Sequence, residues 1–308
     1  MSRRTPELVV PTAADASRIA ELINARSRAL HGLSEETAAG VAEWFDLPFL
    51  DAAADMRLAV GADGAAEGYA DVSVPEDGTP KAMVDLRVRP GAAEAMEALF
   101  AWAIDRAHAR VSAAGRIQLF ADAKDGPLAR MLEEKGYGVV RSAYEMERRI
   151  DGELEPPVWP AGHDVRPLDL HDGEAVHAAQ DEAFAEDWFY SPVSHETWLK
   201  GARAGGAGSG LSSVVWDGAA VAGLCLARPG HGEDESIGWI GDLAVRAPWR
   251  RRGVGRALLL HSFRLFAVAG KERAGLGVDR DNATGALGLY ESVGLRVVRQ
   301  SNTWERRP

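Results

Sequence analysis

Three consecutive cations, Arg250, Arg251 and Arg252, stand directly before Gly253-Val254-Gly255-Arg256. The stretch from Arg256 to Ala269 that follows is apolar at helical spacing. Cations before a helix N-terminus suit an anion, because the first amides of a helix have no internal partners and the helix dipole favours negative charge there. Glycine at 253 and 255 lets a ligand approach the backbone with no Cβ in the way. The chemistry this pattern favours is the cradling of a phosphate. No Gly-Lys-Ser/Thr follows, so the stretch is not a P-loop, and the third glycine of a dinucleotide fingerprint is missing. An arginine run alone is more often a solvated turn; the Gly-x-Gly and the helix after it turn the balance toward a ligand.

A second group of residues lies downstream, Asn282-Ala283-Thr284-Gly285-Ala286-Leu287-Gly288-Leu289-Tyr290-Glu291-Ser292-Val293-Gly294-Leu295. Arg250-x-x-Gly253-x-Gly255, preceded by Leu243-Ala244-Val245, resembles the acyl-CoA signature of the GCN5-related N-acetyltransferases (GNAT family). The Asn282 to Leu295 stretch is similar to that family's second motif, Asn, Ala, Leu-Tyr, then Gly-Phe. It has one residue more than the commonest spacing between Asn and Leu-Tyr, and Leu295 where Phe is usual.

The resemblance implies acetyl transfer from acetyl-CoA to an amine, with no metal. It implies that Arg250, Arg251, Arg252, Gly253, Val254, Gly255 and Arg256 hold the pyrophosphate through backbone amides. It further implies that Leu243, Ala244 and Val245 meet the pantetheine arm and the oxyanion through their backbone, which leaves the side chains of Leu243 and Val245 to the core. Tyr290 matches the general acid, since a phenol with an ordinary pKa near 10 stays protonated at neutral pH and can donate to the departing sulfur. Asn282 is expected to cap the helix from Ala283 or to bond the pantetheine. Asp242 sits on the strand beside the thioester, where some relatives carry a glutamate base. A structural role for it is nevertheless expected, because Asp85 holds the same place in the first half, leaving water or the acids near Trp188 to carry the proton. Trp188-Phe189-Tyr190, flanked by Glu182, Glu186 and Asp187, falls where the family lines its acceptor pocket. Glu182, Trp188 and Tyr190 suit a cationic amine, and serve equally as a hydrophobic plug with solvated acids.

The elements that must position these residues follow from pattern. In the second half, strands are expected at His163 to Arg166, Leu211 to Trp216, Ala219 to Ala227, Ile237 to Val245 and Gly275 to Asp279, with a terminal strand pair near Arg296 to Trp304. Helices are expected at Gly173 to Phe184, Ser194 to Ala202, Arg256 to Ala269 and Ala283 to Ser292. The first half reads in the same order, and the likeness is in the residues themselves. Val84-Asp85-Leu86-Arg87-Val88-Arg89 lies 157 positions before Gly241-Asp242-Leu243-Ala244-Val245-Arg246, and Gly136-Tyr137-Gly138-Val139-Val140-Arg141 lies 158 before Gly294-Leu295-Arg296-Val297-Val298-Arg299. A period of that length means duplicated domains. The fold class expected is α/β (α+β): two tandem GNAT folds, each a mixed, mostly antiparallel sheet flanked by helices. The expected domains are a degenerate one over 1–150, a Pro/Gly-rich linker over 151–162, and a catalytic one over 163–308.

The halves are chemically unequal. At the same offset, Arg250, Gly253 and Gly255 face Ala93, Met96 and Ala98. Ala-Glu-Ala-Met-Glu-Ala cannot cradle a phosphate and is expected to continue a helix. The first half is therefore read as silent.

Composition bounds the rest. The chain has 308 residues and a net charge of −11, which excludes broad nucleic-acid binding. Its one cysteine, Cys225, sits in an apolar run and reads as a buried, inert thiol. No metal spacing and no span of membrane length are present, so a cytoplasmic enzyme, monomer or homodimer, acting on a small-molecule amine is expected, without membrane or nucleic-acid partners. In layout the chain resembles tandem members of the mycothiol-synthase type, which acetylate a cysteinyl conjugate. An acyl-CoA-binding sensor without turnover is the alternative from another class.

Overall fold

The computed structural model describes residues 6–47, 49–75, 78–111, 115–206, 209–282 and 284–306. The chain forms two compact units, Met1–Ser142 with Gln300–Pro308, and Ala143–Arg299. Their borders differ from the expected ones. The proline-rich stretch 151–162 lies inside the second unit, where Leu154 and Trp159 pack on its core.

The first unit carries β1 (Glu7–Val9), α1 (Ala16–His31), α2 (Ala38–Trp44), the short α3 (Ala52–Asp55), β2 (Met56–Val60), β3 (Ala66–Ser73), β4 (Lys81–Val88), α4 (Ala93–Arg110), β5 (Arg116–Asp122), α5 (Gly126–Glu134) and the start of β6 (Tyr137–Arg149). Its sheet runs β1-β2-β3-β4-β5, antiparallel except for the parallel β4–β5 pair. Ala93 to Ala98 lies in α4, as its helix-formers require.

The second unit repeats that order with β7 (His163–Pro167), α6 (Gly173–Phe184), α7 (His195–Ala204), β8 (Ser213–Asp217), β9 (Ala220–Arg228), β10 (Ile237–Val245), α8 (Val254–Val268), β11 (Arg273–Asp279) and α9 (Ala286–Ser292). Its sheet runs β11-β10-β9-β8-β7, again with one parallel pair, β10–β11. The duplication read from two short matches thus extends to strand order and pairing sense.

The C-terminal stretch is one strand, β12 (Arg296–Arg306), in place of the expected pair. The last strand of each unit is supplied in an unexpected way. Ser301 to Glu305 of β12 pairs antiparallel with β5, and Ala143 to Arg149 of β6 pairs antiparallel with β11. The chain crosses from the first unit to the second within β6 and returns within β12.

In the second unit the alternation of side chains along β9 feeds two apolar clusters. Leu224 belongs with Val176 and Trp198 of α6 and α7, while Cys225 belongs with Leu258, Phe263 and Tyr290 of α8 and α9. Both layers of helix are therefore anchored through one strand, and β10 lies beside it. Among the described residues no helix is long and apolar enough to cross a membrane.

Candidate active site in the second unit

The site is built on an interruption of β10. Asp242 pairs with Leu226 and Ile240 with Ala227, so Gly241 is an extra residue on β10 with no partner on β9. Such a bulge bends a strand and re-aims its side chains. On its other edge β10 pairs with β11 only over Ile237 to Ile240. From Gly241 onward the strand is off that ladder. In the first unit β4 runs against β3 without irregularity, and its pairing with β5 extends to Asp85. β4 has no such bulge, and it leaves its parallel neighbour two positions later than β10 does, since Ile240 matches Met83 at the 157-residue offset.

Beyond the bulge, Leu243 and Val245 pack on the α8 core, as expected of those two side chains, and Ala244 is buried in the α6–α7 cluster. A short helical turn, Ala247–Trp249, leads into the arginine run. Trp249 donates through Nε1 to Asp217 Oδ2 at 2.9 Å and anchors the turn.

The arginines divide into two kinds. Arg250 is a structural pin: Nε donates to the Val245 carbonyl at 2.9 Å and Nη2 to the Ala183 carbonyl at 3.0 Å. Arg256 is held by Glu155, with contacts of 2.7 and 3.0 Å. Arg251 and Arg252 are exposed, and among the described residues neither has a hydrogen-bond or ion-pair partner. Arg251 has φ of 61° and Gly253 φ of 89°. Two left-handed residues so close together turn the chain sharply into α8, a conformation that costs a non-glycine residue about 1 kcal/mol. Gly253 caps α8 with no side-chain bond to its first amides. Gly255 is tight: a Cβ there would lie 3.3 Å from Leu289 Cδ2. Val254 is buried in the core beneath the turn. The result is an uncapped helix N-terminus with two exposed cations at its mouth, which can accept an anion.

Tyr290 is 7% exposed and packs on the α8 core. Burial holds its phenol protonated well above the usual range, and the charges of Cys225, Asp187 and Asp242 push the same way. Cys225 is itself buried, accepts from Ser262 Oγ at 3.1 Å, and is pushed up to about 12 by burial, as an inert thiol should be.

Of the two roles expected of Asn282, the helix cap is not the one it takes. Gly285, with φ of 77°, starts α9 at Ala286, three residues later than the sequence pattern suggests, so Asn282 does not cap that helix. Its Oδ1 accepts from the Thr284 amide at 2.9 Å, and its Nδ2 donates to Asp187 Oδ2 at 3.3 Å. Ala283 lies outside the described residues.

Asp242 and Gly241 line a cavity of about 370 Å³. Its walls are Leu226, Ala227 and Arg228 of β9, Gln180 of α6, and Trp198 with its neighbours on α7. Burial raises the Asp242 carboxyl to about 6, with the Arg228 charge pulling in the other direction. A carboxyl poised there can exchange a proton near neutrality.

The three residues expected to contact the acceptor are not among those lining this cavity. Glu182 is taken by Arg246 at 2.6 and 2.9 Å. Tyr190 donates to Asp181 Oδ1 at 2.5 Å and stacks on Phe184, although the Asp242 charge still reaches its phenol. Trp188 packs edge-on against Phe189 at 4.8 Å. What sequence pattern missed is Gln180, Trp198 and Arg228. The first two lie within two ordinary helical patterns, and the third at the end of an apolar strand. Among the described residues no group of three or more His, Cys, Asp or Glu side chains is placed to hold a metal.

Residues 173–295 match the family model described as acetyltransferase (GNAT) family. No curated protein matches the chain significantly. Among solved structures, the chain is similar to a GCN5-related N-acetyltransferase from Sphaerobacter thermophilus, with 29% identity over 98% of this chain and 96% of that one and a TM-score of 0.78. A tandem GNAT protein from the clavulanic acid biosynthesis pathway shares the fold at 17% identity, covering 98% and 99% of the two chains with a TM-score of 0.75. An acetyltransferase from Pyrococcus horikoshii described as putative is similar at 13% identity, 99% and 90% coverage and a TM-score of 0.61.

Proposed function

We propose that the second unit, whose residues 173–295 match the acetyltransferase (GNAT) family model in a chain that shares its fold with a tandem GNAT protein, transfers acetyl from acetyl-CoA directly to a primary amine of a small molecule. The observation that carries this reading is the bulge at Gly241, which parts β10 from β11 and leaves Asp242 lining a cavity. On this reading the pyrophosphate sits at the α8 N-terminus, held by first-turn amides from Gly253 onward and by Arg251 and Arg252. Arg250 and Arg256 shape the cradle through their own partners. The β10 backbone at Leu243 to Val245 binds the pantetheine arm, and an amide there stabilises the oxyanion.

The acceptor enters as an ammonium and gives a proton to Asp242. The nitrogen lone pair then attacks the thioester carbonyl, a C–N bond forms, and the C–S bond breaks. Tyr290 supplies the proton that the departing thiolate takes, and the second proton of the attacking nitrogen, lost as the amide forms, passes through water to restore the phenol. Asp242 acting as base reverses the expectation of a structural role, and the difference between the two halves supports it. Asp85 is paired with Arg87 at 2.6 Å, while the residue 157 positions after Arg87 is Ala244.

The first unit is proposed to be catalytically silent. Release of free thiol from acetyl-CoA, screened over amine classes, tests the reading. Turnover with an amine supports it, and donor binding without turnover for any amine would favour a sensor.

A further inference from the structure

The cavity beside Asp242 carries information about the acceptor that the family does not. Among the described residues two charged side chains line it, Asp242 and Arg228. They stand in a fixed relation, because Leu226 is the direct cross-strand partner of Asp242 and Arg228 lies two residues further along β9. Residues so related emerge on one face of a sheet as diagonal neighbours, about 7–8 Å apart at the backbone. Arg228 is at the exposed rim, and the contacts that orient its guanidinium include Nε to the Gly230 carbonyl at 3.2 Å and Nη2 to His231 Nδ1 at 2.8 Å. Asp242 lies deeper, at the bulge.

Three other carboxylates of this region are committed elsewhere. Glu182 is bonded by Arg246, Asp181 accepts from Tyr190, and Asp187 accepts from Asn282 and from the Phe189 amide at 2.9 Å. None of the three lines the cavity. An acceptor with several ammonium groups would have one carboxylate to meet and an arginine to oppose it. A molecule with one ammonium and one carboxylate matches both charges. Much of the remaining wall is apolar, with Leu168, Val193, Leu226 and the Trp198 ring, and Gly201, where a Cβ would meet nothing within 4 Å, leaves space on the α7 side. The Trp198 indole N–H is satisfied by Gln180 Oε1 at 2.9 Å, so the ring is held in place.

We propose that the acceptor is a zwitterionic α-amino acid with an apolar side chain. Its ammonium faces Asp242, its carboxylate faces the Arg228 guanidinium, and its side chain packs on Trp198 and Leu226. The proposal rests on the acetyl-transfer reading above. The products are an N-acetyl amino acid and the free thiol of CoA, with the amine proton passing to Asp242.

The test compares L-leucine and L-phenylalanine with 3-methylbutylamine and 2-phenylethylamine, which lack only the carboxylate, and with spermidine. Thiol release is followed with the full-length protein. The amino acids are expected to exceed their decarboxylated counterparts in kcat/KM by about tenfold or more, the scale of one charge-assisted contact. Arg228→Gln should collapse that ratio toward one, and Arg228→Lys should keep part of it. Equal use of the plain amines, preference for spermidine, or an unchanged ratio in Arg228→Gln would overturn the proposal. Absence of thiol release with both amino acids would overturn it too. Titration of the same sample with acetyl-CoA then separates the two readings: saturable binding leaves acetyl transfer standing with a different acceptor, and no binding removes both.

Discussion

Arg87 holds Asp85 in an ion pair of 2.6 Å on β4, and at the matching offset on β10 the partner of Asp242 is replaced by Ala244. One aspartate is neutralised by a neighbour two residues away. The other is left to burial, which raises it to about 6. Two units with the same residue at matching sequence positions therefore differ in what surrounds the carboxyl.

Asp242→Asn should abolish a rise in rate that runs through about pH 6 in the parent enzyme, with a loss of about a hundredfold or more on the alkaline side. Its effect on stability has a predictable sign. A carboxyl with a folded pKa above its unfolded value binds more protons when native, so the parent loses stability as pH rises from about 4 to about 6. The asparagine variant escapes that loss. It should melt higher than the parent at pH 8, with the gain fading toward pH 4. A variant less stable at pH 8, with its rate intact, would return Asp242 to a structural role.

Tyr290→Phe should lower kcat by about a hundredfold while leaving acetyl-CoA affinity and melting temperature close to the parent values. The ring keeps its packing against the α8 core and only the hydroxyl is removed. Single-turnover rates with the thiol as readout check this. A folding defect with full activity would make the residue purely one of packing.

The arginine run should separate under mutation. Arg250→Ala removes two bonds to carbonyls and is expected to cost about 1–3 kcal/mol of stability. Arg251→Ala and Arg252→Ala should leave stability near the parent value, and each should weaken acetyl-CoA several-fold, more so at low salt. Thermal melts and donor titrations on the three variants distinguish the pin from the cradle.

Acetyl-CoA should bind at one equivalent per chain. In the first unit α4 begins at Ala93 and carries Glu94 in its first turn, and β4 has no bulge. A helix N-terminus with an acid in that position repels phosphate. Calorimetric saturation at two equivalents of similar affinity would refute this.

The fold was legible in the sequence to an unusual depth, because duplication wrote the same pattern twice. The duplication and the glycine-free Ala93 to Ala98 stretch could be read from Val84 to Arg89 set against Gly241 to Arg246, whereas strand order and the place of the parallel pair could not. The site was legible only in part. Backbone features such as Gly253 carry a residue-type signature, whereas the partners of a long side chain do not. Nothing local marks Arg250 as reaching Ala183, 67 residues away, or Glu182 as bound by Arg246, 64 away. Gly285 could have signalled the late start of α9, since glycine there permits the left-handed turn that Asn282 lacks. The start of the second unit was misplaced because proline and glycine density marks irregular backbone, not independence. The 151–162 stretch is irregular yet tied to α8 through Glu155, Leu154 and Trp159.

The return of the chain through β12 sets a limit on how this gene can be cut. A fragment ending at residue 150 would carry β5 without Ser301 to Glu305, its native antiparallel neighbour, and a fragment starting at 151 would carry β11 without Ala143 to Arg149. Each would display a raw strand edge, a template for self-association. Expression of either half alone is thus expected to yield insoluble or swapped material. A clean excision is possible only from the inside: residues 143–299 leave as one closed segment, and the first unit is left as two pieces that a short linker would have to rejoin. In topology the second unit is an insert within the first, and the tandem appearance of the sequence conceals it.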